Sequence, residues 1–216
     1  MRKIERTIYK FEELEKDIQE KLIEKEREYQ RDSYCECFLY DDMEEKASDL
    51  INDYFGITSD YLYTCYDLSY CQGSGAMIEF DINIEDLNNK YNIYDKEEIR
   101  FIKDKGIINN ITIRHIGNYY HERSFIIDYD FNYYWDYEDI KDDYNISEEN
   151  FSSIEDRFCD LMNHNFKEDI IDMNIELRIY GYSCLEYFWN CDDVEIIQFL
   201  TEDEYYKNGE VYLGGK

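Results

Sequence analysis

The residues that could do chemistry in this 216-residue chain are three histidines, seven cysteines and the closely spaced Gly73 and Gly75. Nucleophilic catalysis needs a thiol within hydrogen-bond reach of a base. Cys71 with His115 or His121 is the candidate pair, because these residues flank expected turns. Cysteine is also a common small apolar residue of protein interiors, and linear spacing does not bring the three together. Zinc would need clustered soft ligands at knuckle spacing. Cys35-x-Cys37 lacks that spacing, and Cys65, Cys71, Cys159, Cys184 and Cys191 form no CxxC pair. An odd number of thiols behind a charged Met1–Lys10 fits a reduced cytoplasm, and no apolar run approaches membrane-spanning length. Gln72-Gly73-Ser74-Gly75 could cradle a phosphate only weakly, since no lysine follows and no helix opens there. It reads as a structural turn.

Acids dominate the remaining polar chemistry. The chain has 52 acidic and 23 basic side chains, a formal net charge of -29. Adjacent pairs include Asp41-Asp42, Asp142-Asp143, Glu148-Glu149 and Asp192-Asp193. A glycosidase selects two carboxylates by geometry, and nothing in the pattern selects two. A magnesium nuclease would want a positive approach surface, which this composition opposes. No enzyme, metal or cofactor is therefore expected. Residues 1–30 hold eight basic and nine acidic side chains, so residues 31–216 carry -28. Such a field repels nucleic acid and anionic membrane, and attracts a basic surface in a salt-sensitive way. Carboxylates interleaved with tyrosine can occupy the positions of phosphates, pairing with arginine and lysine. Asp41, Asp42, Asp142, Asp143, Asp192 and Asp193 are the partner-binding candidates on that reading.

The elements that must position these residues begin with Tyr61–Ile82, which reads as two strands around Cys71-Gln72-Gly73-Ser74-Gly75. Leu62, Thr64, Tyr66, Leu68 and Tyr70 share one strand face, and Ile78, Phe80 and Ile82 resume the alternation. The two glycines permit positive φ or close backbone approach. Ahead of this hairpin, Ile4, Ile8, Phe11, Leu14, Ile18 and Leu22 predict an amphipathic helix over 4–29, within an N-terminal segment 1–30. Packing on the body is favoured over packing on a second copy, since the stripe spans only about three heptads. Tyr34–Tyr40 alternates like a short strand, and a second helix is expected from Asp42 to Phe55, closed by Gly56.

Further on, Asp95 and Glu98 form a capping-box pattern for a helix ending at Gly106. Ile107–Ile116 and Tyr119–Phe131 read as strands joined by Gly117-Asn118, a turn that would pair His115 with Tyr120. Residues 132–146 read as an ordered surface excursion and Ser147–Tyr180 as strongly helical. Ser183 caps a further expected helix, Asp192–Leu200 forms another, and Gly209–Tyr212 ends in a small strand or docked coil. With no linker and no repeat, one α+β domain over 1–216 is expected: an antiparallel sheet packed against several helices, with a long N-terminal amphipathic helix.

Three landmarks in order resemble a family of phage and prophage proteins. Ser69-Tyr70-Cys71-Gln72-Gly73-Ser74-Gly75-Ala76 is similar to its S-Q-G-D-G-A-S-F signature, with Ser74 where the family has Asp and Cys71 where it has Ser. Arg114-His115-Ile116-Gly117-Asn118-Tyr119-Tyr120-His121 resembles its H-x-G-x-Y-Y-H segment. Thr201-Glu202-Asp203 and Gly209-Glu210-Val211-Tyr212 resemble its acidic close, separated here by an insertion. The resemblance implies a mobile-element origin and an α+β fold, and no established activity. Together with the charge it leads to an expected function: an inhibitor in the manner of an anti-CRISPR, binding a basic host nucleic-acid-binding protein such as an RNA-guided nuclease in the host cytoplasm. The alternative is a structural or regulatory phage protein that binds a host protein without mimicking nucleic acid.

Overall fold

The first amides of a helix have no partner inside it, and the side chains of Asn83, Asp95, Ser147 and Asp192 cap four of the described helices. The computed structural model describes residues 7–132 and 134–213. A strand β1 (Tyr9–Lys10) and a 3-10 turn (Phe11–Glu13) lead to α1 (Lys16–Cys37) and α2 (Leu39–Phe55), which ends at Gly56 with φ of 70°. Strands β2 (Leu62–Asp67) and β3 (Gly75–Ile82) follow. Helix α3 (Ile84–Tyr91) is capped by the Asn83 side chain and stopped by left-handed Asn92. Helix α4 (Lys96–Asp104) has the reciprocal cap its sequence predicts: Asp95 accepts from the Glu98 amide and Glu98 from the Asp95 amide, at 2.9 and 2.7 Å. Then come β4 (Ile108–His115), β5 (Phe125–Phe131), α5 (Tyr137–Ile140), α6 (Glu148–Ser152), α7 (Ile154–Asn163), α8 (Asn165–Asn190), α9 (Asp193–Leu200) and β6 (Glu204–Tyr205). The fold is α+β, with an antiparallel sheet, many helices and a long helix near the N-terminus.

Contacts divide the chain into two compact units, residues 40–182 and residues 1–39 with 183–216. The boundary near 182 falls inside α8, where composition carries no linker signal. In the larger unit the strands run in the order β2-β3-β4-β5, all antiparallel, with Thr64 opposite Ile78 and Phe80 opposite Ile113. Ile78, Phe80 and Ile113 are buried, as are Met43, Leu50 and Ile51 of α2 and Phe166, Ile170, Met173 and Leu177 of α8. In the smaller unit, β1 pairs with β6 through Tyr9 and Tyr205. Its core is Phe11, Leu14, Ile196, Leu200 and Tyr205, with Ile18 and Leu22 of α1 packed against them.

Several expectations are corrected. Of the helix expected over 4–29, residues 4–6 lie outside the described residues, and Ile8, Phe11 and Leu14 precede α1. Leu14 is extended, with ψ of 156°, because it and Phe11 turn into the small core, where the Gln19 amide donates to both carbonyls. The helix then continues to Cys37. Tyr34–Tyr40 is helical and not a strand, since the Tyr34 carbonyl accepts from the Phe38 amide and no ladder partner is required. Ser183 caps nothing: α8 runs unbroken from Asn165 to Asn190. The helical stretch before it is instead cut at Ser153 and His164. Ile140, Tyr144 and Ile146 are buried, so the 132–146 excursion is anchored by apolar residues. Helix α3 was not anticipated.

Candidate functional site

The connection from β2 to β3 folds on itself before it meets anything else. The Ser69 amide donates to the Asp67 carboxylate at 2.9 Å, and the Cys71 amide to the Ser74 hydroxyl at 2.8 Å. The Ser74 amide donates to the Cys71 carbonyl at 3.1 Å. Tyr70 sits at φ of 57°, a left-handed conformation that costs a non-glycine residue about 1 kcal/mol or more. Its ring stacks on Tyr182 at 4.5 Å and remains 65% exposed.

The two glycines serve different ends. Gly73 takes φ of 126°, and a Cβ there would lie 2.3 Å from the Tyr119 ring. Gly75 has ordinary strand geometry, but a Cβ there would lie 1.9 Å from the Tyr120 carbonyl oxygen. The Tyr120 amide donates to the Gly73 carbonyl at 3.0 Å. Thus the glycine turn and the His-Gly-Tyr-Tyr-His stretch, separate in sequence, close on each other. This overturns the expected two-residue hairpin turn. His115 pairs with Phe125, and the loop between them spans residues 116–124, closed by the Ile116 amide donating to Ser124. Tyr120 has left the ladder to cover the glycines, although its ring still stacks on His115 at 4.9 Å.

Behind the loop, Asn174 of α8 is fully buried. Its side-chain oxygen accepts from the Ile78 amide at 2.9 Å, and its nitrogen donates to the Glu122 carbonyl at 3.1 Å. It thereby satisfies a β3 amide beyond the last β3–β4 pair, Phe80 with Ile113. Glu122 pairs with Arg178 at 3.0 Å, a second tie between the loop and α8. Sequence reasoning missed Asn174; an asparagine inside the apolar stripe of a long helix was its only signal.

The polar partners of the Cys71 thiol are Ser69, Ser74 and Asp67, with no histidine among them. The Ser69 hydroxyl, then that of Ser74, holds the thiol below its ordinary pKa. His115 places Nε2 3.0 Å from the Tyr119 carbonyl, and His121 is exposed. Cys35 and Cys37 are exposed on the last turn of α1. Among the described residues no three His, Cys, Asp or Glu side chains gather as a metal-ion site, and no helix is long and apolar enough to cross a membrane. What the closed turn offers a ligand is ring surface and hydrogen bonds: Leu68–Ile78 contains no charged residue.

The acidic pairs lie elsewhere. Asp41 is exposed and Asp42 half-buried in the first turn of α2, where negative charge complements the helix dipole. Asp142 and Asp143 are exposed in the turn after α5. Asp192 caps α9, accepting from the Val194 amide, and Asp193 pairs with Arg27 at 2.6 Å. That third pair is already engaged within the smaller unit. The larger unit carries 33 acidic and 12 basic side chains, net -21. Within it, residues 128–160 carry twelve acids, all exposed, and two bases. One of those bases, Arg157, is turned inward to buried Glu98. Local charge counting would have found this stretch; counting over 31–216 diluted it. Comparison of the chain with family models, curated proteins and solved structures finds no match.

Proposed function

We propose that this chain is a phage-type acidic inhibitor that occupies the nucleic-acid-binding surface of a basic host defence protein, such as an RNA-guided nuclease, in the host cytoplasm. The observation that carries the reading is the run of twelve exposed acids from Asp128 to Asp160, where inward-turned Arg157 leaves Lys141 as the exposed base. Carboxylates held on folded elements can meet arginine and lysine side chains in place of phosphates, with no catalysis and no cofactor. Asp142-Asp143, inside that run, and Asp41-Asp42 on α2 are the contact pairs to test. The test is competition. A purified nucleic-acid-targeting nuclease bound by this chain releases it when target nucleic acid is added, and binding weakens as salt rises. Asp142→Lys with Asp143→Lys lowers affinity while the melting temperature holds. A tight complex that still takes up nucleic acid normally would remove the mimicry reading. It would favour the alternative, a phage protein that binds a host protein through neutral ring surface. The uncharged turn with exposed Tyr70 and Tyr119 is the observation on that side.

A further inference from the structure

The four-stranded sheet ends on β5, and the bonds at the two ends of that strand show which of its backbone groups are taken. The Ile116 amide donates to the Ser124 carbonyl at 2.9 Å, and the Asn132 amide to the Ile107 carbonyl at 2.7 Å. Successive residues of a strand turn their N–H and C=O groups to opposite edges. Ile126, Asp128 and Asp130 therefore turn theirs toward β4, opposite Arg114, Thr112 and Asn109. The ladder's one irregularity is an extra residue on β4, so the alternation along β5 is unbroken. Ile127 and Tyr129 turn their groups the other way, to an edge with no further strand and no other backbone bond among the described residues. The Tyr129 ring packs on Phe158 of α7 at 4.9 Å, which anchors that edge to the body. Proline and lysine, which commonly guard an open edge, are missing from β5.

Charge selects what pairs there. Asp128 and Asp130 stand exposed with Ile126 on the solvent face of β5, and the strand has no base. Residues 128–160 carry net -10 over 33 residues, more than twice the chain's average density of -29 over 216. A second copy added edge to edge sets these acids against the same acids, which repel. At the opposite edge, β2 has a single acid, Asp67, already bonded to the Ser69 amide. Arg114 of β4 reaches Asp128 at 3.5 Å, and none of the described cations pairs with Asp130. A basic strand on the open side repeats the Arg114 contact while its backbone completes the ladder. We propose that β5 takes up an extended segment of a basic protein as a fifth, antiparallel strand, with lysines or arginines beside Asp128 and Asp130. The proposal deepens the nuclease reading and rests on its basic partner. The edge also fixes the register. Residues of the added strand that bond Ile127 and Tyr129 put their side chains on the α7 side. The basic residues then occupy the alternate positions, whose own amides face away.

An acetylated peptide of five valine–lysine repeats, titrated into the full chain at low salt, tests this by calorimetry and amide exchange. Saturating peptide slows exchange at Ile127 and Tyr129 roughly tenfold or more and leaves β2 unchanged. Methylating the valine backbone nitrogens, which removes the bonding N–H groups, weakens binding roughly tenfold or more. Methylating the lysine backbone nitrogens retains binding, at the same charge. Asp128→Asn with Asp130→Asn weakens it roughly fivefold, with the melting temperature read alongside to show that β5 is folded. A peptide that does not bind overturns the proposal. So do equal losses from the two methylations, which reduce the contact to charge, and slowed exchange confined to another edge. No nucleic acid enters this test, so failed competition at the nuclease leaves the added strand standing, and a peptide that fails leaves the competition to be decided on its own.

Discussion

In each unit an arginine gathers two backbone carbonyls and a carboxylate, and the two sites differ in how exposed that carboxylate is. Arg157 gathers the carbonyls of Ile93 and Asn150 and the Glu98 carboxylate in the larger unit. Arg27 gathers the carbonyls of Phe188 and Cys191 and the Asp193 carboxylate in the smaller one. A guanidinium suits both places because its five donors form a rigid fork. The Glu98 side chain is 1% exposed, whereas that of Asp193 is 63% exposed. Water reaches the Asp193 carboxylate but not that of Glu98. The larger unit has closed its interior around the Glu98 carboxylate. The smaller one, with strands of two residues and five buried core side chains, ends its arginine tie on an exposed carboxylate.

The broadest test of this contrast is alkaline titration. Burial, aided by carboxylate neighbours, pushes Tyr54 and Tyr91 far above the ordinary phenol range, and burial does the same to Tyr94. In the smaller unit, Tyr205 is pushed up to about 12, chiefly by burial. A folded-state pKa raised above its unfolded value contributes stability that is complete below the unfolded pKa of about 10 and lost as pH climbs through the folded one. Both units therefore weaken above about pH 10. The larger unit, with more such phenols, unfolds as the phenolates of Tyr54, Tyr91 and Tyr94 form. The Tyr91 phenolate, read from the difference between this chain and Tyr91→Phe, appearing well before unfolding would contradict the burial account.

Arg157→Met sharpens the comparison next. It leaves Glu98 buried without its cation, and the expected loss is about 3–5 kcal/mol. Hydrogen exchange resolved by segment should show the loss across residues 40–182. Gly75→Val forces a side chain against the Tyr120 carbonyl, with an expected cost of about 3 kcal/mol. The earliest exchange should be at residues 116–124. Arg27→Met is the smallest effect, about 1–2 kcal/mol, because it strands no buried charge: Asp193 is already wet. Equal losses from Arg27→Met and Arg157→Met in denaturant melts would dissolve the distinction between the units.

What sequence reasoning reached and what it missed divides along the range of the interactions. The Asp95–Glu98 cap, the Gly56 and Gly106 stops, the helix up to Leu200 and the β2–β3 alternation are settled by groups within a few residues of one another. All were legible for that reason. The net charge was equally readable, since summing charges needs no structure. Tertiary structure alone decided that α1 starts at Lys16, because extended Leu14 is held by a core whose other members come from the far end of the chain. It likewise decided that 34–40 is helical, that α8 passes through Ser183, and that His115 faces Phe125. The closure of Tyr119–His121 over Gly73 and Gly75 belongs with these. Which of two glycines must lack a Cβ because of φ, and which because a carbonyl from a distant strand connection lies against it, depends on contacts about 45 residues apart in sequence, beyond the reach of any local signal.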